Sequence, residues 1–145
     1  MTASTSSPAA ELASVLRPAL LRLTRQVRQQ RVDTSVTLTQ LSAMFTLNVR
    51  GPMSAGDLAA CEKVQPPSMT KVIANLDERG LVQRDPHPTD GRQVIISITP
   101  AGQALLDSEK EQRDAWLARQ LASLSADERA QLERVIPILD KLAQT

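Results

Sequence analysis

Residues 64–100 read VQPPSMTKVIANLDERGLVQRDPHPTDGRQVIISITP, and the fold turns on this stretch. Two consecutive prolines, Pro66 and Pro67, are tolerated only in the first turn of a helix, where backbone N–H groups have no intrahelical acceptor. Met69, Val72, Ile73 and Leu76 then recur at helical spacing, and Gly80 is suited to the left-handed conformation that ends a helix. The other side of this helix carries Ser68, Thr70, Lys71 and Asn75, short polar groups and one cation. From Leu81 the period changes. Leu81–Arg84 and Gln93–Ile98 read as two strands, and the proline-containing loop between them, Pro86–Gly91, closes on the turn dipeptide Asp90-Gly91. The stretch predicts a helix over 66–79 and a β-hairpin whose tip spans 85–92.

Working outward, Thr37 with Gln40 is a capping-box pair ahead of Leu41, Met44, Phe45 and Leu47, and Gly51-Pro52 stops that helix. Ser54 with Asp57 opens a short helix through Leu58, Ala59 and Glu62, and the break at Val64–Pro67 separates it from the Pro-led helix. Toward the N-terminus, Leu12, Val15, Leu16, Leu20, Leu23 and Val27 form one helical stripe ending near Arg31. Pro18 inside it predicts a kink or a later true start. Beyond the hairpin, Thr99 caps a helix with Pro100 at its first position, and Leu105, Leu106, Trp116, Leu117 and Leu121 make it long. Ser125 with Glu128 opens a last helix through Leu132, Val135, Ile136, Leu139 and Leu142, which Pro137 should bend. Met44, Met53 and Met69 are expected in the core. The result is a mainly α (α+β) chain of about six helices and one β-hairpin, in the order of a winged helix-turn-helix.

Composition limits the function. With 145 residues, 41% hydrophobic and 23% charged, the chain fits one soluble domain. Phe45 and Trp116 are the only aromatics, so Leu, Val, Ile, Ala and Met must build the core. The net charge is +1, and a nucleic-acid footprint has to come from local placement. Arg17, Arg22, Arg25, Arg28 and Arg31 form a run without acidic residues that reads first as a solvated helix face, ahead of a phosphate-contacting role. Cys61 is the only cysteine and His87 the only histidine, which leaves no disulfide, zinc cluster or catalytic triad. No metal, cofactor or enzymatic activity is expected. Neither a signal peptide nor an apolar run of about 18 residues is present, so no membrane partner and a cytoplasmic location are expected. Residues 1–9 read as a disordered tail.

The Pro-led helix suits DNA, because a helix N-terminus can meet phosphates while its polar side reaches base edges in the major groove. An arginine at the hairpin tip can reach the adjacent minor groove. The residues Leu58-Ala59-Ala60, Val64 to Lys71, Leu76 to Val82 and Arg84 resemble the helix-turn-helix of MarR-type regulators. Asp90-Gly91-Arg92-Gln93-Val94 with Ile96, Ile98, Thr99 and Gly102 is similar to that family's D-x-R wing and its Thr-x-x-Gly helix entry.

The resemblance implies a single domain over 10–145, with dimerisation helices in 10–36 and 100–145 and the winged helix-turn-helix in 37–99. It implies a homodimer on double-stranded DNA, at a palindromic operator with half-sites about 34–36 Å apart. Arg92 would enter the minor groove, held by a charge-assisted contact from Asp90. Ser68, Thr70 and Lys71 would touch bases or phosphates, with Gln65 and Pro67 as further contacts at the helix start. Thr39 would touch a phosphate or act as a cap. The resemblance also implies a repressor released by a small anionic or phenolic effector. Arg17 or Arg22 could attract its carboxylate, in a cleft of mostly aliphatic walls with no pocket residue assigned. Cys61 does not sit where the oxidation-sensing relatives carry their reactive cysteine, and His87 reads as a solvated loop residue. The alternative is a winged-helix protein-interaction module without DNA binding, against which the Asp90/Arg92 pair and the cationic helix face argue.

Overall fold

Capping residues set most element boundaries in the computed structural model, which describes residues 7–144. The first helix, α1 (Pro8–Arg28), starts where the Ser7 hydroxyl accepts the Ala10 N–H and Pro8 occupies the first helical position. Pro8 and Ala9, expected in a disordered tail, are therefore helical, and residues 1–6 lie outside the described residues. The later start expected at Pro18 does not occur, because the Ser7-Pro8 pair supplies the cap, and the helix runs through Pro18 to Arg28. Next come α2 (Leu38–Arg50), with its Thr37/Gln40 capping box complete, and the two-residue strand β1 (Met53–Ser54). Ser54 caps α3 (Ala55–Glu62), which α4 (Pro66–Glu78) follows. Strands β2 (Val82–Pro86) and β3 (Val94–Ile98) then lead into α5 (Pro100–Ala122) and α6 (Ala126–Ala143). Ser125 and Glu128 complete the capping box of α6, which runs through Pro137.

The three strands form one antiparallel sheet in the order β1-β3-β2. Val82 faces Ile98, Arg84 faces Ile96 and Pro86 faces Val94, so β2 extends two residues beyond the expected Arg84. The third strand was not expected. Met53 and Ser54 pair with Ile96 and Ile95, a ladder too short to leave an alternating pattern in the sequence.

The chain forms two compact units, one from Met1–Gln30 with Gln112–Thr145 and the other from Arg31–Glu111. The winged helix-turn-helix segment expected at 37–99 lies inside the second. Its core gathers Met44 and Leu47 of α2, Leu58 of α3, and Met69, Ile73 and Leu76 of α4, closed by Ile96 of the sheet and Leu106 of α5. Met44 and Met69 are buried as expected, and Met53 packs half-buried against the core. Burying each such side chain contributes about 1.5–3 kcal/mol. Phe45 points outward from α2.

In the first unit, neither α1 nor α6 has a buried residue among those described. Leu12, Val15 and Leu21 of α1 and Ile136, Ile138 and Leu142 of α6 are all more than half exposed. Arg129 of α6 donates to the Leu124 carbonyl, in the connection between α5 and α6, at 2.5 Å.

Candidate nucleic-acid interface

Both ends of α4 are fixed by local backbone chemistry. Lys63, at φ 52°, is the left-handed residue that ends α3, and the Val64 N–H returns to the Ala59 carbonyl at 3.0 Å. This turn aims α4. Glu62 adds a second tie, accepting from Ser42 at 2.6 Å and from the Thr46 hydroxyl, both on α2. At the far end Gly80 (φ 71°) closes the same kind of motif, with the Leu81 N–H on the Leu76 carbonyl.

Between these ends α4 divides cleanly. Met69, Ile73 and Leu76 are buried, while Gln65, Pro67, Ser68, Thr70, Lys71 and Asn75 are exposed. The expected reading face is thus a solvent-facing surface, although the start of α4 differs from the expectation of a donor-rich helix end. Pro66 and Pro67 carry no N–H, and Met69 bonds back to the Gln65 carbonyl, so Ser68 keeps the free amide of this first turn. Gln65 occupies the N-cap position without a side-chain capping bond, which leaves its amide available. Thr70 donates its hydroxyl to the Pro66 carbonyl at 3.0 Å and can still accept. Thr39 is exposed and does not cap, because Thr37 holds that role.

The wing tip is organised by two side chains. The N–H of Arg92 donates to Asp90 Oδ1 at 3.1 Å, and the Gln93 N–H donates to the Asp90 carbonyl at 3.1 Å. Asp90 therefore holds the Arg92 backbone, not the guanidinium as expected, because the tight turn brings the amide closer than the side-chain end. Ion pairs join Arg31 to Glu109, Arg79 to Asp33 and Arg84 to Asp77, and neither Lys71 nor Arg92 takes part in any of these three. Arg92, Gln93 and Val94 border an open cleft with Ser54–Asp57.

His87 was not expected to organise anything. Its Nδ1 accepts the backbone N–H groups of Thr89 (3.1 Å) and Asp90 (3.0 Å), and the His87 backbone N–H donates to the Gln93 carbonyl. Two backbone donors thus converge on Nδ1, and the Thr89 hydroxyl lies 3.3 Å from the same atom. A histidine two residues before a Thr-Asp pair in a hairpin loop was the available signal.

Two ion pairs brace the C-terminal half of α4. Arg84 of β2 reaches Asp77 Oδ2 at 2.8 Å, and Arg79, the C-cap residue, reaches Asp33 Oδ2 at 2.6 Å. Hydrogen bonds from Ser35, and then Arg79, lower the Asp33 pKa to about 2, so the carboxylate stays charged throughout the neutral range. Neither brace was read from the sequence, because each joins residues that periodicity alone does not bring together. Cys61 is exposed, with Arg50 Nη1 at 3.4 Å from its sulfur. Among the described residues, no cluster of His, Cys, Asp or Glu is placed to hold a metal ion, and no helix is long and apolar enough to cross a membrane.

The family model described as "MarR family" matches residues 36–94, a span that includes all seven expected contact residues. The chain is 44% identical over 133 residues to an uncharacterized HTH-type transcriptional regulator of Mycobacterium leprae, covering 92% of this chain and 93% of the relative. It is 33% identical over 115 residues to the HTH-type transcriptional repressor NicR of Pseudomonas putida, covering 79% of this chain and 70% of NicR. A crystal structure from Pseudomonas aeruginosa, assigned as a transcriptional regulator, superposes with a TM-score of 0.83 at 28% identity, covering 93% of this chain and 95% of that one.

Proposed function

The chain belongs to the MarR family of DNA-binding transcriptional regulators, which are not enzymes, and on that premise we propose that it acts as a homodimeric repressor released by a small ligand. The observation that carries the reading is the solvent-facing polar side of α4, free of competing ion pairs, beside a wing that presents Arg92. In this reading Ser68, Thr70 and Lys71 enter the major groove, with Gln65 and Pro67 at its edge. Arg92 enters the minor groove, and Asp90 sets the turn from which it projects. Because its two prolines remove amide donors, α4 reads chiefly through side chains.

Dimerisation is supported by α1 and α6, which expose leucine, isoleucine and valine side chains that a second copy would cover. A two-fold arrangement then calls for a palindromic operator with half-sites one helical turn, about 34–36 Å, apart. Repression is supported by the similarity to NicR, which is named a repressor. A small anionic or phenolic effector remains the proposed release signal, and the cytoplasm, where the DNA is, the proposed location.

The test is selection of duplexes from a random pool, followed by fluorescence anisotropy on the selected and scrambled sequences over a salt series. Two protomers per selected palindrome are expected. Arg92→Ala should weaken specific binding by about 1–3 kcal/mol and flatten the dependence of log K on log salt. Unchanged affinity would remove Arg92 from the interface, and no preference for any duplex would remove the DNA reading.

A further inference from the structure

Helix α4 is held at its C-terminal end by a line of polar contacts that begins on α5. Glu109 is 0% exposed, and its two oxygens accept consecutive backbone N–H groups, Oε2 from Val32 (3.2 Å) and Oε1 from Asp33 (3.1 Å). Arg31 Nε lies 3.6 Å from Oε2, and Arg31 Nη2 donates to the Asp33 and Val36 carbonyls. A buried carboxylate is tolerated when it is hydrogen-bonded and paired, and here two amides supply the hydrogen bonds while the Arg31 guanidinium, beyond hydrogen-bond distance, supplies the opposite charge. The connection between α1 and α2 is thereby fixed in its course. Asp33, on that connection, divides its own carboxylate. Oδ1 accepts from the N–H and hydroxyl of Ser35, and Oδ2 accepts from Arg79 at the end of α4.

The position of this line in the chain gives it a purpose. The chain enters the Arg31–Glu111 unit at Arg31 and leaves it after Glu111, so Glu109 joins the entering strand of chain to the departing helix. An ion pair as exposed as Asp33–Arg79 adds little to global stability. It can nevertheless fix the orientation of the helix it ends.

We propose that Glu109 and Asp33 are positioning residues for DNA reading: Glu109 fixes the 31–33 connection on α5, and Asp33 passes that setting to α4 through Arg79. Neither touches DNA. The inference rests on α4 being the reading helix. It makes the affinity for an operator depend on where α5 stands, through contacts remote from every proposed base or phosphate contact.

The experiment uses the full chain and a selected duplex, with Glu109→Gln, Asp33→Asn, their double variant and Lys71→Ala as a contact control. Asp33→Asn keeps the Oδ1 acceptor for Ser35 and loses the acceptor for Arg79, so it cuts one link alone. Each single variant should weaken specific binding about 3- to 30-fold, and the double should bind no worse than Glu109→Gln, since both cut the same line. In the DNA-free protein, hydrogen exchange should quicken at Val32, Asp33 and the last turn of α4 in Glu109→Gln, and at the last turn of α4 in Asp33→Asn. Lys71→Ala should weaken binding with exchange unchanged.

Wild-type affinity in Asp33→Asn, or losses that multiply in the double variant, overturns the proposal while the Lys71 result upholds the DNA reading. If Glu109→Gln does not fold, Arg79→Gln replaces it in the cycle under the same criteria. If the wild type prefers no duplex, the DNA reading fails. The exchange arm then decides whether the link from Glu109 to α4 exists, and unchanged α4 exchange overturns it.

Discussion

Gly102 is the position where one added carbon would do most harm. A Cβ there would lie 2.2 Å from the Leu81 carbonyl oxygen and 2.8 Å from the Ile98 side chain. The same turn is locked by Thr99, which donates to the Gly80 carbonyl at 2.6 Å and accepts the Gly102 N–H at 3.1 Å. Gly102→Ala should therefore destabilise the fold by at least about 3 kcal/mol, because backbone must move to make room. Urea unfolding measures it, and a loss under about 1 kcal/mol would show that the α5 start yields. The cap was legible in Thr99-Pro100, whereas Gly102 stood out only through the Thr-x-x-Gly helix entry of the MarR resemblance. Glu109 was not legible. Followed by Lys110 and Glu111 it reads as a solvated charge, and only its place one turn beyond Leu105 and Leu106 hinted at burial. That Asp90 holds Arg92 was legible, but which Arg92 atom it holds depends on turn geometry that no spacing specifies.

At the scale of elements, legibility followed the residues with restricted backbones. Helix α4 was bounded correctly because Pro66-Pro67 and Gly80 can each do little else there. The start of α1 was missed although Ser7-Pro8 is the same kind of signal, because it sits against a Ser/Thr-rich run that reads as a tail. The wing is the element whose internal order was hidden, and His87 is its organiser. Removing the two hydrogen bonds to Nδ1 should loosen the turn that aims Arg92. We expect His87→Ala to weaken specific DNA binding about 2- to 10-fold, the range one or two hydrogen bonds supply, while His87→Asn retains most of it through its side-chain oxygen. Anisotropy separates the two. Equal loss in both variants would assign the effect to ring packing instead of the acceptor.

For the whole molecule, the winged unit can be understood from one chain, whereas α1 and α6 cannot. Ile136 is 55% exposed on a helix that has no buried residue. On a monomer Ile136→Glu would change stability by no more than about 0.5 kcal/mol. Beneath a second copy it would place a charge in an apolar interface. The expected result is a monomer in sedimentation velocity and loss of two-protomer DNA binding, with the wild type sedimenting as a dimer whose melting temperature rises with concentration. A wild-type monomer at micromolar concentration would refute the homodimer.

The burial of Glu109 also sets an order in time. A chain made from its N-terminus completes the 31–36 connection, α4 and the wing before residue 109 exists, yet Val32 and Asp33 find their acceptors only on that residue, 77 and 76 positions later. The nascent reading head is therefore unfinished until roughly the first half of α5 has been synthesised. By then the helix that runs on to Ala122 is already under way, so each newborn head is completed only as the chain leading out of it is being built.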